Sequence, residues 1–145
     1  MRVVVQRAKN SSVSVNNNCV GKISSGLVLL VALTDTDTID TINYMVKKIV
    51  GLRIFPDEAG IMNKNILDYG GDILSISQFT LYGDATKGNR PSYIKAAKGD
   101  FARPMYEKFN ELLSNYVKVE TGVFGADMEV NITNVGPTTI WLEKE

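Results

Sequence analysis

Apolar positions along the chain change their period several times, and each change marks an element. Val3, Val4 and Val5 predict a strand over residues 2–8, and Val13 and Val15 alternating with Ser12 and Ser14 predict a second. Asn16-Asn17-Asn18 supplies turn chemistry, because asparagine tolerates left-handed backbone, so Cys19–Ile23 is expected to return as a hairpin partner. After Ser25-Gly26, the run from Leu27 to Leu33 is almost wholly apolar, as in a central strand covered on both faces. Beyond Thr34-Asp35-Thr36-Asp37 the period lengthens. Ile39, Ile42, Val46, Ile49 and Val50 recur at helical spacing, and Gly51 ends the helix. Asp37 and Asp40 at its start fit capping and the helix dipole, as do Lys47 and Lys48 near its end.

Leu52–Phe55 is a short extended piece and Pro56–Gly60 a turn. An irregular connection, with Asn63-Lys64-Asn65 and Tyr69-Gly70-Gly71, leads into a strand over residues 73–81. Residues 83–91 are a loop. Asp100 is placed to cap a second long helix whose first turn tolerates Pro104. Its apolar stripe is Phe101, Met105, Phe109, Leu112, Leu113 and Tyr116, which reads as core. Lys118–Thr121 is a further short strand. Met128, Val130 and Ile132 alternate with polar neighbours as a half-buried strand, Asn134–Pro137 is a turn, and Thr138–Glu143 is expected to pair back. Strands at both ends with two helices between give an α/β fold with a mixed, largely antiparallel sheet.

At 145 residues the chain is one domain's worth, 1–145, and large enough for a real core. No apolar run approaches the roughly 20 residues that cross a membrane, and the N-terminus reads at once as a strand, with no signal-peptide core. A single cysteine, Cys19, fits a reducing cytoplasm. Sixteen basic and sixteen acidic residues cancel, so extensive contact with nucleic acid is not expected; DNA and membranes are not expected partners. The decisive absence is histidine. It removes Ser-His-Asp and Cys-His catalysis and imidazole-based zinc sites. No metal or other cofactor is expected, and nothing matches a phosphate-binding loop or dinucleotide fingerprint.

The candidate chemistry centres on Ser77-Gln78-Phe79-Thr80-Leu81. Leu74 and Ile76 share a strand face with Gln78 and Thr80, so an apolar face turns polar at the strand's C-terminal end. That is where open sheets place ligands, and it is equally how a strand emerges into water. The glycines of the loop holding Lys87, Gly88, Asn89 and Arg90 suit close approach of backbone to a ligand, or plain solvation.

Ser77-Gln78-Phe79-Thr80-Leu81 and Asn134-Val135-Gly136-Pro137-Thr138-Thr139 resemble the two signature motifs of D-aminoacyl-tRNA deacylases. Lys87-Gly88-Asn89-Arg90-Pro91-Ser92, Thr121–Met128, Val5-Gln6-Arg7 and Leu52–Glu58 resemble further family stretches, so the resemblance runs the length of the chain. Val135 stands where the family commonly has an acid, Thr138 where it has valine, and Tyr93 where Phe is usual. The resemblance implies a three-layer α/β/β single domain and a homodimer that hydrolyses the ester joining a D-amino acid, or glycine, to the 3′-terminal adenosine of tRNA. It implies a catalytic stretch at Ser77, Gln78, Phe79 and Thr80. It implies a cis Gly136–Pro137 peptide that enters the partner's site and excludes L side chains, braced by Arg7. It implies that Phe124, Gly125, Met128, Lys87 and Arg90 meet the 3′ end, although Phe124 also reads as an ordinary core residue. Without histidine, hydrolysis is expected to use the substrate's own 2′-hydroxyl rather than a Thr80 nucleophile. The competing reading is a module that binds an RNA end and turns nothing over.

Overall fold

The computed structural model describes all 145 residues. Strands β1 (Arg2–Val15) and β2 (Asn18–Ala32) form a long antiparallel hairpin around Asn16 and Asn17, both at positive φ. The hydrophobic pattern predicts two shorter strands in place of each. The breaks suggested by the polar Lys9-Asn10 and Ser24-Ser25-Gly26 stretches are absorbed within continuous ladders, with Asn10 and Gly26 at positive φ. Helix α1 (Ile39–Gly51) follows, then β3 (Phe55–Pro56) and β4 (Met62–Lys64), which form a small hairpin. A single helical turn, α2 (Ile66–Tyr69), and β4 occupy the stretch expected to be irregular. Strand β5 (Asp72–Ser77), helix α3 (Gly99–Ser114), β6 (Val119–Thr121) and β7 (Glu129–Glu143) complete the chain.

One five-stranded sheet in the order β6-β5-β2-β1-β7 organises the molecule. The long β1–β2 and β1–β7 ladders are antiparallel, and the shorter β2–β5 and β5–β6 ladders parallel, so the mixed α/β expectation holds. Helices α1 and α3 cover one face. Their stripes meet Val3, Val5, Leu27, Leu29, Val31 and Ile73 in a core of 21 buried residues that includes Ile42, Ile49 and Phe109. The other face carries a smaller cluster of Ala8, Val13, Ile23, Val28, Leu74 and Ile76. Residues 27–33 and β5 are therefore buried from both sides, as their apolar runs predict.

Several local expectations change. Thr38, not Asp37, caps α1 in a capping box with Thr41. Asp37 instead accepts from the Met1 amino group at 2.7 Å, a buried ion pair spanning 36 positions of sequence. Lys98, not Asp100, occupies the N-cap of α3, and no side chain caps it. Tyr116 lies beyond the end of α3 and is exposed rather than part of its stripe. The strand expected to run to residue 81 ends at Ser77. Gln78 (φ −145°, ψ 72°) breaks it, and Phe79–Tyr82 form a 3₁₀ turn. Thr138–Glu143 does not pair back on residues 128–133. Both halves of β7 pair with β1, and Val135–Thr138 bulge out between the Ala8–Asn134 and Gln6–Thr139 pairs.

Candidate active site

The parallel step from β2 to β5 positions the site. Gln78 N–H donates to Val31 O at 2.7 Å, the last bond joining this segment to β2, and the chain then turns into the 3₁₀ helix. A cleft of about 360 Å³ opens there. Ser77, Gln78 and Phe79 form one wall, and Phe124, Gly125 and Met128 another. The ends of β2 and α3 close its base with Val31, Leu33, Ala102 and Tyr106. The N–H groups of Phe79 and Thr80 open the 3₁₀ helix, a position that gives them no partner within it.

Thr80 lies outside the cleft lining. Its hydroxyl accepts from the Gln78 side-chain amide at 2.5 Å, and no carboxylate or lysine hydrogen-bonds it. A donor on the oxygen withdraws electron density, which is the reverse of activation. Phe124 serves both of its readings. It lines the cleft, and it packs against the main core with its ring 5.8 Å from that of Tyr106 and 5.2 Å from the Arg103 guanidinium. Lys87 and Arg90 are exposed on the loop after the 3₁₀ turn and do not line the cleft.

Gly136 and Pro137 also stand away from this chain's own cleft, at the tip of the β7 bulge. Their peptide is cis, and Gly136 has φ 116°. A Cβ at Gly136 would lie 2.6 Å from Thr138 Oγ1 and 2.7 Å from Arg7 Nη2, so only glycine fits. Arg7 donates to Val135 O at 3.2 Å and to Ile54 O at 2.8 Å, tying the bulge to the segment before β3. The brace is thus on the carbonyl preceding the Gly-Pro pair. Asn134 adds a second, donating to Arg7 O at 3.0 Å and Thr138 O at 2.9 Å.

Two cleft residues escaped the sequence reading. Tyr106 lies on the buried face of α3, at helical spacing from Ala102 and Phe109, and its ring passes as core. Its hydroxyl donates to Ser75 O at 2.8 Å, and burial holds the phenol pKa above its ordinary value. Asp127 is the one charged residue in the cleft lining. Its place inside the Phe124–Met128 stretch was the available signal.

A mixed sheet with helices on one face, and an imidazole-free cleft at a strand end, define an α/β protein whose polar site groups are amides, hydroxyls and one carboxylate. The sequence model of the D-Tyr-tRNA(Tyr) deacylase family matches residues 4–143, and the chain belongs to that family. It is 55% identical to a D-aminoacyl-tRNA deacylase of Geobacillus sp. (strain WCH70), covering 100% of this chain and 96% of that protein. It is 53% identical to one of Listeria monocytogenes serotype 4a (strain HCC23), covering 100% and 97%. Among solved structures, one described as a c-Myc DNA unwinding element binding protein superposes with a TM-score of 0.95 at 38% identity, covering 100% of this chain and 99% of that one. A probable eukaryotic D-amino acid tRNA deacylase superposes at 0.82 over 97% of both chains; at 19% identity this likeness is of fold.

Proposed function

We propose that this chain is one deacylase domain that hydrolyses the ester between a D-amino acid, or glycine, and the 3′-terminal adenosine of tRNA, releasing both as a proofreading step in translation. The observation that carries this reading is the cleft where Ser77, Gln78 and Phe79 face Phe124, Gly125 and Met128 without any histidine. An aminoacyl ester is already activated, and the ribose 2′-hydroxyl lies beside it. The protein then needs to hold the ester, stabilise the oxyanion and admit water. The Phe79 N–H, on the cleft wall, is the principal oxyanion donor, with the Thr80 N–H next to it at the rim, and Gln78 orients the ester. The 2′-hydroxyl assists, which suits a Thr80 hydroxyl with no base beside it. Phe124 stacks the adenine, with Gly125 and Met128 around it, and Lys87 and Arg90 meet the terminal phosphates.

Chirality is set in a homodimer, where the Gly136–Pro137 bulge of one subunit enters the cleft of the other and its carbonyls exclude an L side chain. A bulge that lines none of its own chain's cleft suits completion in trans. No helix is long and apolar enough to cross a membrane, and the reaction belongs where tRNA is used, in the cytoplasm. No cofactor takes part.

Paired deacylation of D-Tyr-tRNA and L-Tyr-tRNA, with chelator present, tests the proposal. Release from the D ester alone is expected. Release from both would overturn the chirality filter, and release from neither, with adenosine still bound, would favour a binding module. A substrate ending in 2′-deoxyadenosine should be hydrolysed far more slowly; an undiminished rate would remove the 2′-hydroxyl from the mechanism.

A further inference from the structure

An aromatic and basic segment continues from the cleft, and the Phe79 and Tyr93 rings and Lys95 on it have no part in the reaction as described. Phe79 lines the cleft yet is 56% exposed, and the Tyr93 ring meets it edge-on at 5.2 Å and 72°. Residues 79–98 carry Lys87, Arg90, Lys95 and Lys98 against one carboxylate, Asp84, in a chain whose total charge is zero. Lys87, Arg90 and Lys95 are exposed, and none makes an ion pair.

This surface is held by backbone. Asp84 and Ser92 exchange two hydrogen bonds of 2.8 Å across the base of the loop, and Asp84 Oδ1 accepts from Thr86 N–H at 2.9 Å. Thr34 Oγ1 donates to Lys95 O at 2.6 Å, and Ala97 N–H donates to Leu33 O at 2.9 Å. A Cβ at Gly83 would come within 3.0 Å of Tyr93 Cε1, so glycine makes room for the ring. The rings are therefore presented on a fixed frame rather than left on a loose loop.

We infer that Phe79 and Tyr93, with Lys87, Arg90 and Lys95 carried on the same segment, form a track for the unpaired nucleotides that precede the terminal adenosine of the tRNA substrate. The inference rests on the deacylase reading of the adjoining cleft. A single strand offers a base face and a phosphate at each step. Exposed aromatic rings and unpaired cations on one segment match that chemistry and tolerate any base. Continuity with the cleft through Phe79 sets the direction: adenosine inside, earlier nucleotides across Tyr93 and along the loop.

The test compares kcat/KM for D-Tyr-tRNA with that for D-tyrosyl-adenosine, which lacks the earlier nucleotides. Stacking of one base is worth about five- to 150-fold. Tyr93→Leu, which keeps apolar bulk, should lower the tRNA-to-adenosine ratio at least about fivefold, and Tyr93→Trp should restore it. Lys95→Gln should reduce the salt slope for the tRNA substrate by about 0.7, the share of one phosphate on a single strand. It keeps the tRNA arm informative if Tyr93→Leu does not fold. An unchanged ratio and slope would overturn the track. So would an equal loss on both substrates with altered sedimentation, which would assign Tyr93 to an interface between copies. Wild-type protein that hydrolyses neither substrate would overturn the deacylase reading itself, and the track with it.

Discussion

Two tyrosines make one deletion with opposite expected outcomes. Tyr106 and Tyr82 are both buried, at 4% and 2% exposure. The Tyr106 hydroxyl donates to Ser75 O at 2.8 Å and lies 3.4 Å from Ser75 Oγ, inside a fully buried stretch of β5. Ser75 O retains only a longer bond, 3.4 Å from Gly122 N–H, when that hydroxyl is removed. Tyr106→Phe therefore leaves a buried carbonyl and a buried serine hydroxyl poorly satisfied, a loss of about 2 kcal/mol. The Tyr82 hydroxyl is buried with no hydrogen-bond partner, and the Arg2 guanidinium sits 4.3 Å over its ring, a contact phenylalanine keeps. Tyr82→Phe removes a group whose desolvation nothing offsets, so it should be neutral or stabilising by up to about 1 kcal/mol. Urea unfolding at one fixed protein concentration reads both. With a slope of about 2 kcal/mol per molar, the Tyr106→Phe midpoint falls by about 1 M while that of Tyr82→Phe holds or rises. Ser75→Ala completes a double-mutant cycle whose coupling should stay small, because the main acceptor of Tyr106 is backbone. Equal losses in the two tyrosine variants would refute the hydrogen-bond assignment of both.

Three further outcomes follow from the same geometry. Gly136→Ala, whose Cβ would press on Arg7 Nη2 and Thr138 Oγ1, should displace the bulge and cut the ratio of D-Tyr to L-Tyr release at least tenfold, read in the paired deacylation assay. Thr80→Val should keep kcat within about fivefold, since the Thr80 hydroxyl only accepts from Gln78; a loss of 10³ would restore it as a nucleophile. Burial holds the Tyr82 and Tyr106 phenols above their ordinary value of 10.0, with the charge of Asp37 adding to the effect at Tyr82. The unfolded chain then loses these protons first as pH rises past about 10, so stability should fall above that pH and fall less in the phenylalanine variants.

The helices and central strands were legible because burial imposes its own period. Ile42, Val46, Ile49 and Val50 form the buried stripe of α1, while Ile39, expected in it, is exposed in the first turn, and the Leu27–Leu33 run is apolar because both its faces are covered. The strand assigned to Phe79-Thr80-Leu81 failed for the opposite reason. Aromatic and β-branched residues favour strands locally, and the turn after Ser77 is fixed by where β2 stops offering partners, which is a tertiary fact. Asp37 reads as a cap from its neighbours, and its partner, the Met1 amino group, meets it only once β1 has folded into the sheet. Tyr106 was hidden by its own ring, since a tyrosine at stripe spacing looks like core until its hydroxyl is seen to reach β5. The motif around Gly136 was visible, but that both of its flanks pair with β1 required the sheet.

If the chemistry belongs to backbone N–H groups, side-chain and backbone deletions at one position should separate. Phe79 is the first residue of the 3₁₀ turn, where proline's fixed φ is suited and where the N–H has no helical partner to lose. Gln78, with φ −145° and ψ 72°, is already outside the helical region that a following proline disfavours. Phe79→Ala removes the ring and keeps the N–H, whereas Phe79→Pro removes both. The difference between the two variants therefore isolates the donor, provided both unfold at similar urea concentration. Loss of one oxyanion donor costs about 10²–10³ in kcat. Phe79→Pro should fall below Phe79→Ala by that factor on D-Tyr-tRNA, with KM little changed between them, because the donor acts on charge that develops only in the transition state. Equal kcat values would place the oxyanion elsewhere in the cleft and leave the Phe79 N–H without a catalytic role.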